Sequence, residues 1–222
     1  MQIDSQETEA RASIYWWLST VFAKELTTDQ LNTYFDKPGL LFMDALSDAL
    51  PGAAEHPSIT RLKNALAGLQ LNPHPQLELA ADFAQQFLAD KRSSALPYAS
   101  IYLSPEGLLY QQPHEEMLAL LTKEQLVVVE EFREPADHLA IMLDYLGNQV
   151  LKLLQTNKEE EYRELLYQQL NFIEERLLSW IPEFRLRSRQ IKGCGFYPAV
   201  ADYLLSYLES EKAYLTGILD KE

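Results

Sequence analysis

Glu134, Asp137 and His138 stand at i, i+3 and i+4, at the start of the strongly apolar segment 139–154. On a helix that spacing puts three ionisable side chains on one face. Such a cluster can serve as a polar recognition patch, or as half of a metal site. Asp144 follows within the same apolar segment. Upstream, Leu96-Pro97-Tyr98-Ala99-Ser100-Ile101-Tyr102 is a tyrosine-flanked proline segment within a long loop. A plainer account competes for part of the cluster. Pro135 suits the first position of a helix, which puts Asp137 at the third, where a carboxylate offsets exposed amides and the positive end of the dipole. That account leaves His138 and Asp144 unexplained.

Other chemistries find little support. A metal enzyme needs further ligands at matching spacing, and His56, His74 and His114 are scattered in loops. No Gly-x-Ser-x-Gly, Gly-x-Gly-x-x-Gly or phosphate-loop pattern occurs. The one cysteine, Cys194, excludes an internal disulfide framework and a cysteine-cluster metal site. It lies between Gly193 and Gly195, a helix-to-helix loop, and has no partnered base in the sequence. No catalytic residue, metal ligand or cofactor is therefore assigned. Tyr98, Tyr102, Tyr110 and the pair Trp16-Trp17 could line a peptide groove, because tyrosine offers wide contact area at low entropic cost. Trp17 falls on an apolar stripe and is assigned to the core. The loop tyrosines either pack the loop down or face a ligand, and both remain open. Arg185, Arg187, Arg189 and Lys192 form a basic cluster, read as a solvated loop.

Bulk properties narrow the class. The chain has 222 residues and 47% hydrophobic content, which supports a folded globular protein. Its 19 Lys and Arg face 33 Asp and Glu, for a net charge of −14. That argues against nucleic-acid binding, which neutralises phosphates with basic groups, and against docking on anionic lipid. It suits a basic peptide partner, although acidic surfaces also simply confer solubility. The first thirteen residues lack the basic and apolar regions of a secretory signal, and the apolar runs are too short for a bilayer. The expectation is a soluble cytoplasmic protein without membrane contact.

Helical periodicity dominates the chain. Ala10, Ile14, Trp17, Leu18, Val21 and Phe22 mark one stripe, and Thr28 reads as an N-cap. Helices are predicted at 40–50, 58–71 and 78–88. A long one runs through Tyr162, Leu166, Leu170, Ile173, Leu177 and Trp180 and is stopped by Pro182. A last one opens with Pro198 at N1. The expectation is an all-α fold, a globular helix bundle in two lobes joined by a short charged hinge. The N-terminal lobe is 1–129 and includes a Pro/Tyr loop at 90–114; the hinge is 130–135; the C-terminal lobe is 136–222.

Three stretches together resemble the TorD family of cytoplasmic chaperones for molybdenum reductases. They are Asp82-Phe83 through the 96–102 segment, then Glu134-Pro135-Ala136-Asp137-His138-Leu139, then Trp180-Ile181-Pro182-Glu183-Phe184 with Phe196-Tyr197-Pro198. The resemblance implies an all-α protein that binds the apo-form and twin-arginine signal peptide of a molybdoreductase. It would hold that client competent for molybdenum-cofactor insertion before export. Within the family the chain looks closest to the chaperones of trimethylamine N-oxide reductase. Tyr98, Tyr102, Glu134, Asp137, His138 and Asp144 are the expected partner-binding residues, with carboxylates accepting forked arginine bonds. The hinge also suggests a homodimer formed by exchange of the C-terminal lobe. Two other classes stay open: a metal-dependent hydrolase using the 134–138 cluster, and an adaptor for a folded partner.

Overall fold

The helical periodicity becomes eleven α-helices among residues 4–220, which are the residues described by a computed structural model. The first three residues of the acidic amino terminus and the last two of the expected C-terminal lobe lie outside them. The helices are α1 (Ser5–Ala23), α2 (Thr28–Thr33), α3 (Lys37–Asp48), α4 (Pro57–Gln70), α5 (Pro75–Phe83), α6 (Ala99–Leu103), α7 (Gln112–Lys123), α8 (Leu139–Lys152), α9 (Glu159–Asn171), α10 (Ile181–Gln190) and α11 (Phe196–Leu219). The fold is all-α. The described residues contain one isolated antiparallel bridge, Tyr98 with His138. No helix among them is long and apolar enough to cross a membrane.

The chain forms two compact units, each built from separate stretches. The first holds Met1–Ala23, Pro97–Trp180 and Glu211–Glu222; the second holds Lys24–Leu96 and Ile181–Ser210. These units do not follow the division expected from sequence. Residues 130–135, expected as a hinge, fall inside the first unit. A break in periodicity locates a loop, but packing decides which helices share a core.

In the first unit α1 packs on α8. Gly147 permits close approach: a Cβ there would lie 2.8 Å from Trp16 Nε1. Ser19 Oγ donates to Ala140 O at 2.8 Å. α8 buries most of its circumference, including Leu139, Met142, Leu143, Tyr145, Leu146 and Val150, and leaves Asp144 exposed. The buried stripe of α1 is rotated from the predicted one. Ile14, Leu18, Val21 and Phe22 are buried as expected, but Ala10 is exposed and Trp17 is only half-buried. Arg11 and Tyr15 take their place. Arg11 makes a forked contact with Glu211, 2.9 Å from Nε to Oε1 and 2.8 Å from Nη2 to Oε2, and Tyr15 donates to the same carboxylate at 2.9 Å. Arginine is rarely buried unless paired, and its partner lies 200 residues away.

The second unit has an aromatic core. Phe83, Phe87 and Tyr197 meet edge to face at centroid distances of 5.1–5.5 Å, and Phe87 stacks on Phe184. Buried Ser188 Oγ donates to Gln86 Oε1 at 2.9 Å.

Several local details differ from the sequence expectation. The N-cap of α2 is Thr27, which forms a reciprocal capping box with Gln30. The 90–114 loop contains α6 and ends inside α7. The long helix through Tyr162 ends in a wide turn at Phe172–Leu177, and Pro182 lies in the first turn of α10 rather than stopping the earlier helix. Pro198 is the third residue of α11. Arg185, Arg187 and Arg189 lie on α10 and are ion-paired, not in a solvated loop. Each carboxylate partner comes from elsewhere on the helix or from α11.

Candidate functional site

The 97–102 and 134–139 segments lie side by side, and backbone bonds hold them there. Leu139 N–H donates to Pro97 O at 2.8 Å, and Ala99 N–H to Asp137 O at 3.2 Å. Asp137 Oδ2 accepts from Ser100 N–H at 2.7 Å. α6 has no local side-chain cap, since its N-cap residue is Tyr98. Asp137 therefore satisfies two first-turn amides of α6 from 37 residues away.

The 134–138 segment is not helical, which overturns both earlier accounts of it. α8 begins at Leu139, so Glu134, Asp137 and His138 share no helical face. Pro135 is not a first helical residue, and Asp137 does not sit in the first turn of α8. Residues 135–138 form a turn closed by His138 N–H to Pro135 O at 2.9 Å. His138 is the N-cap of α8, its Nδ1 accepting from Ala140 N–H at 3.1 Å. His114 caps the turn in turn, its Nδ1 accepting from Ala136 N–H at 2.8 Å.

Burial separates the six expected partner-binding residues. Asp137 is 0% and His138 4% exposed, so neither offers a face to a ligand. The His138 ring meets Tyr98 and Phe132 edge to face at 4.9 and 5.1 Å. Burial pushes its imidazole down to about 3, so it is neutral and carries its proton on Nε2. Glu134 is exposed, and Tyr98 Oη donates to its Oε2 at 2.8 Å. Burial, then the bond to Glu134, holds the Tyr98 phenol above its ordinary range, so it remains a donor. Tyr102 is half-buried and stacks on Trp180 at 5.2 Å. Asp144 is exposed on α8, bonded to Asn148 of its own helix. Of the six, Tyr98, Glu134, Asp137 and His138 form one frame.

Two features carry no clear mark in the sequence. His114 reads there as a scattered histidine; its role in the turn depends on a contact 22 residues away that no local pattern marks. The end of α6 and the run that follows it expose Leu103, Leu108, Leu109 and Tyr110, with Tyr110 in the left-handed region at φ 59°. Consecutive leucines in a polar loop were the available signal. No group of three or more His, Cys, Asp and Glu able to hold a metal occurs among the described residues. Cys194 Sγ lies 2.9 Å from buried Asp82 Oδ2, and burial followed by that bond pushes its thiol up to about 12, far from a nucleophile's range.

The chain is similar to known proteins. Residues 48–185 match the family described as nitrate reductase delta subunit. The chain is 41% identical over 209 residues to Chaperone protein TorD of Vibrio atlanticus (strain LGP32), covering 94% of this chain and 96% of that one. It is 43% identical to Chaperone protein TorD of Aliivibrio salmonicida (strain LFI1238) over the same shares. The corresponding protein of Ferrimonas balearica is 39% identical, with 94% and 91% covered.

Two predictions follow from the frame's bonding. Asp137→Ala leaves the Ser100 amide buried without its acceptor and should cost about 1–3 kcal/mol in urea unfolding. Asp137→Asn keeps an oxygen acceptor and should lose less. Equal stability of the alanine variant and the wild type would remove Asp137 from this role. For His138 the sign is set by protonation. The unfolded imidazole titrates near 6.5 and the folded one near 3. The unfolded chain thus takes up the proton first as pH falls, so the stability of neutral His138 is full above about 6.5 and lost towards 3. His138→Asn retains a capping acceptor without the titration. Between pH 7 and 5 the wild type should lose about 2 kcal/mol more than this variant. Parallel pH slopes would refute the buried neutral state.

Proposed function

The chain belongs to the TorD family of chaperones, and we propose that it binds the apo-form of a molybdenum reductase together with that client's twin-arginine signal peptide. It keeps the client competent for molybdenum-cofactor insertion before export. The client that fits the family name is trimethylamine N-oxide reductase. The chaperone works in the cytoplasm and acts by binding, not by catalysis.

The distribution of charge supports this reading most. The unit that contains the frame holds nine Lys and Arg against twenty-one Asp and Glu; the other holds ten against twelve. Net charges of −12 and −2 follow, so nearly all of the acidity lies where a basic peptide would be met. Opposite potentials steer such an encounter. In this reading exposed Glu134 accepts a forked arginine contact, and the bond from Tyr98 Oη that orients its carboxylate supports the role. Asp144 adds a second exposed carboxylate. The exposed residues Leu103, Leu108, Leu109 and Tyr110 offer contact to the apolar stretch of a signal peptide. Asp137 and His138 act indirectly, by holding the backbone that presents Tyr98 and Glu134, and half-buried Tyr102 offers a further aromatic contact.

Calorimetry with the client's signal peptide should show binding that weakens with salt. Replacing both peptide arginines by lysine should weaken it, because lysine cannot make the forked contact. Glu134→Gln should weaken it by about tenfold or more while leaving Tm near the wild-type value. Equal affinity for a neutral peptide, or no effect of Glu134→Gln, would sink this assignment.

The chain is also proposed to dimerise by exchange of residues 136–222. Both compact units draw on residues before and after the 130–135 segment. Exchange at that segment would rebuild each unit from two chains with the same contacts, a low-cost route to a dimer. Light scattering should detect slowly interconverting monomer and dimer. A single monomeric species across a wide concentration range would exclude it.

A further inference from the structure

We propose that the second unit carries a binding site for the phosphate group of a small phosphate monoester, built from Arg61, Arg185 and Arg189 around Asp202.

Asp202 is 3% exposed, on α11. Its Oδ1 accepts from Arg185 Nε at 2.6 Å, and its Oδ2 meets Arg189 Nη2 at 2.9 Å and Arg61 Nε at 2.8 Å. Arg185 and Arg189 are one turn apart on α10 and fasten it to α11. A structural ion pair needs no more than these two. Arg61 comes from α4 and adds a third guanidinium to a carboxylate already doubly bonded. Three cations around one anion leave two positive charges without compensation. Repulsion among them costs stability unless a further anion joins.

The unused donors point to that anion. Each guanidinium carries five N–H donors; Asp202 accepts one from Arg185 and one from Arg189, and meets Arg61 Nε as an ion pair. Among the described residues, the terminal nitrogens of Arg61 have no protein acceptor. Arg61 remains half exposed, and Arg185 and Arg189 are partly so. Guanidinium forks match phosphate oxygens geometrically.

A cavity of about 350 Å³ opens on the cluster. Arg61, Asn64, Arg189 and Asp202 line it, together with Gly195 and Ala199 at the start of α11. α11 runs for 24 residues, so its positive end reinforces the arginines. Ala65 and Pro198 form an apolar part of the wall, beside which the organic portion of an ester can rest.

The test uses the full chain, with inorganic phosphate and phenyl phosphate as probes in chloride buffers of matched ionic strength. Phenyl phosphate at about ten times its Kd should raise Tm by about 3–6 °C, and calorimetry should give binding at least as tight as for inorganic phosphate. Arg61→Gln removes one fork and should weaken both probes by about tenfold or more. Without probe, that variant should melt at or above the wild-type Tm, since it relieves repulsion; a purely structural arginine would melt early. Asn64→Asp places a carboxylate in the cavity with all three arginines intact and should weaken binding similarly. The proposal is overturned if phenyl phosphate gives no shift beyond chloride, or if folded Arg61→Gln and Asn64→Asp bind it as the wild type does.

Discussion

Two amides at the start of α6 have no acceptor near them in sequence, and Asp137 supplies both. The carboxylate takes Ser100 N–H, and the same residue's carbonyl takes Ala99 N–H. Everything in the frame follows from that double contact. It fixes the 97–102 segment against the turn at 135–138, and that turn delivers His138 to the N-cap of α8. Tyr98 then sits edge-on to the His138 ring with its hydroxyl on Glu134. A buried carboxylate and a buried neutral imidazole are costly to desolvate, and each is justified only by the amide it satisfies. The frame is thus a rigid support whose chemistry faces inwards, with one carboxylate turned out.

Each unit is also closed by a buried ionic centre joining stretches far apart in the chain. In the first, Arg11 on α1 reaches Glu211 on the last helix. In the second, Asp202 gathers arginines from α4 and α10. Breaking the buried Arg11–Glu211 pair strands a charge in low dielectric, a loss of about 3–5 kcal/mol. Both units need residues from α11, so neither completes its core until its part of that helix is present. Contacts of such sequence separation close slowly because loop entropy must be overcome first.

Charge divides between the units in a way that matches two kinds of ligand. The first carries most of the net negative charge, and the second is nearly balanced, with its arginines concentrated at one carboxylate. A basic peptide and an anionic small molecule would therefore be drawn to different units. The two sites use different residues and share no helix.

Sequence alone determined the class of structure. Apolar residues at helical spacing, with proline and capping residues between them, specify helices because backbone and side-chain periodicity are local properties. The motif stretches were legible too. The amino acids could not show which face of α1 is buried. Arg11 enters the core only because Glu211 meets it there. Nor could they show that Glu134, Asp137 and His138 lie on a turn. The spacing i, i+3, i+4 fits a helix, but Asp137 is held out of one by the amides of α6. The arginines of α10 read as a solvated loop until α11 placed Asp202 among them. Tertiary structure decided each of these cases for one reason: a buried polar group is placed by its partner, and here the partners lie between 13 and 200 residues away.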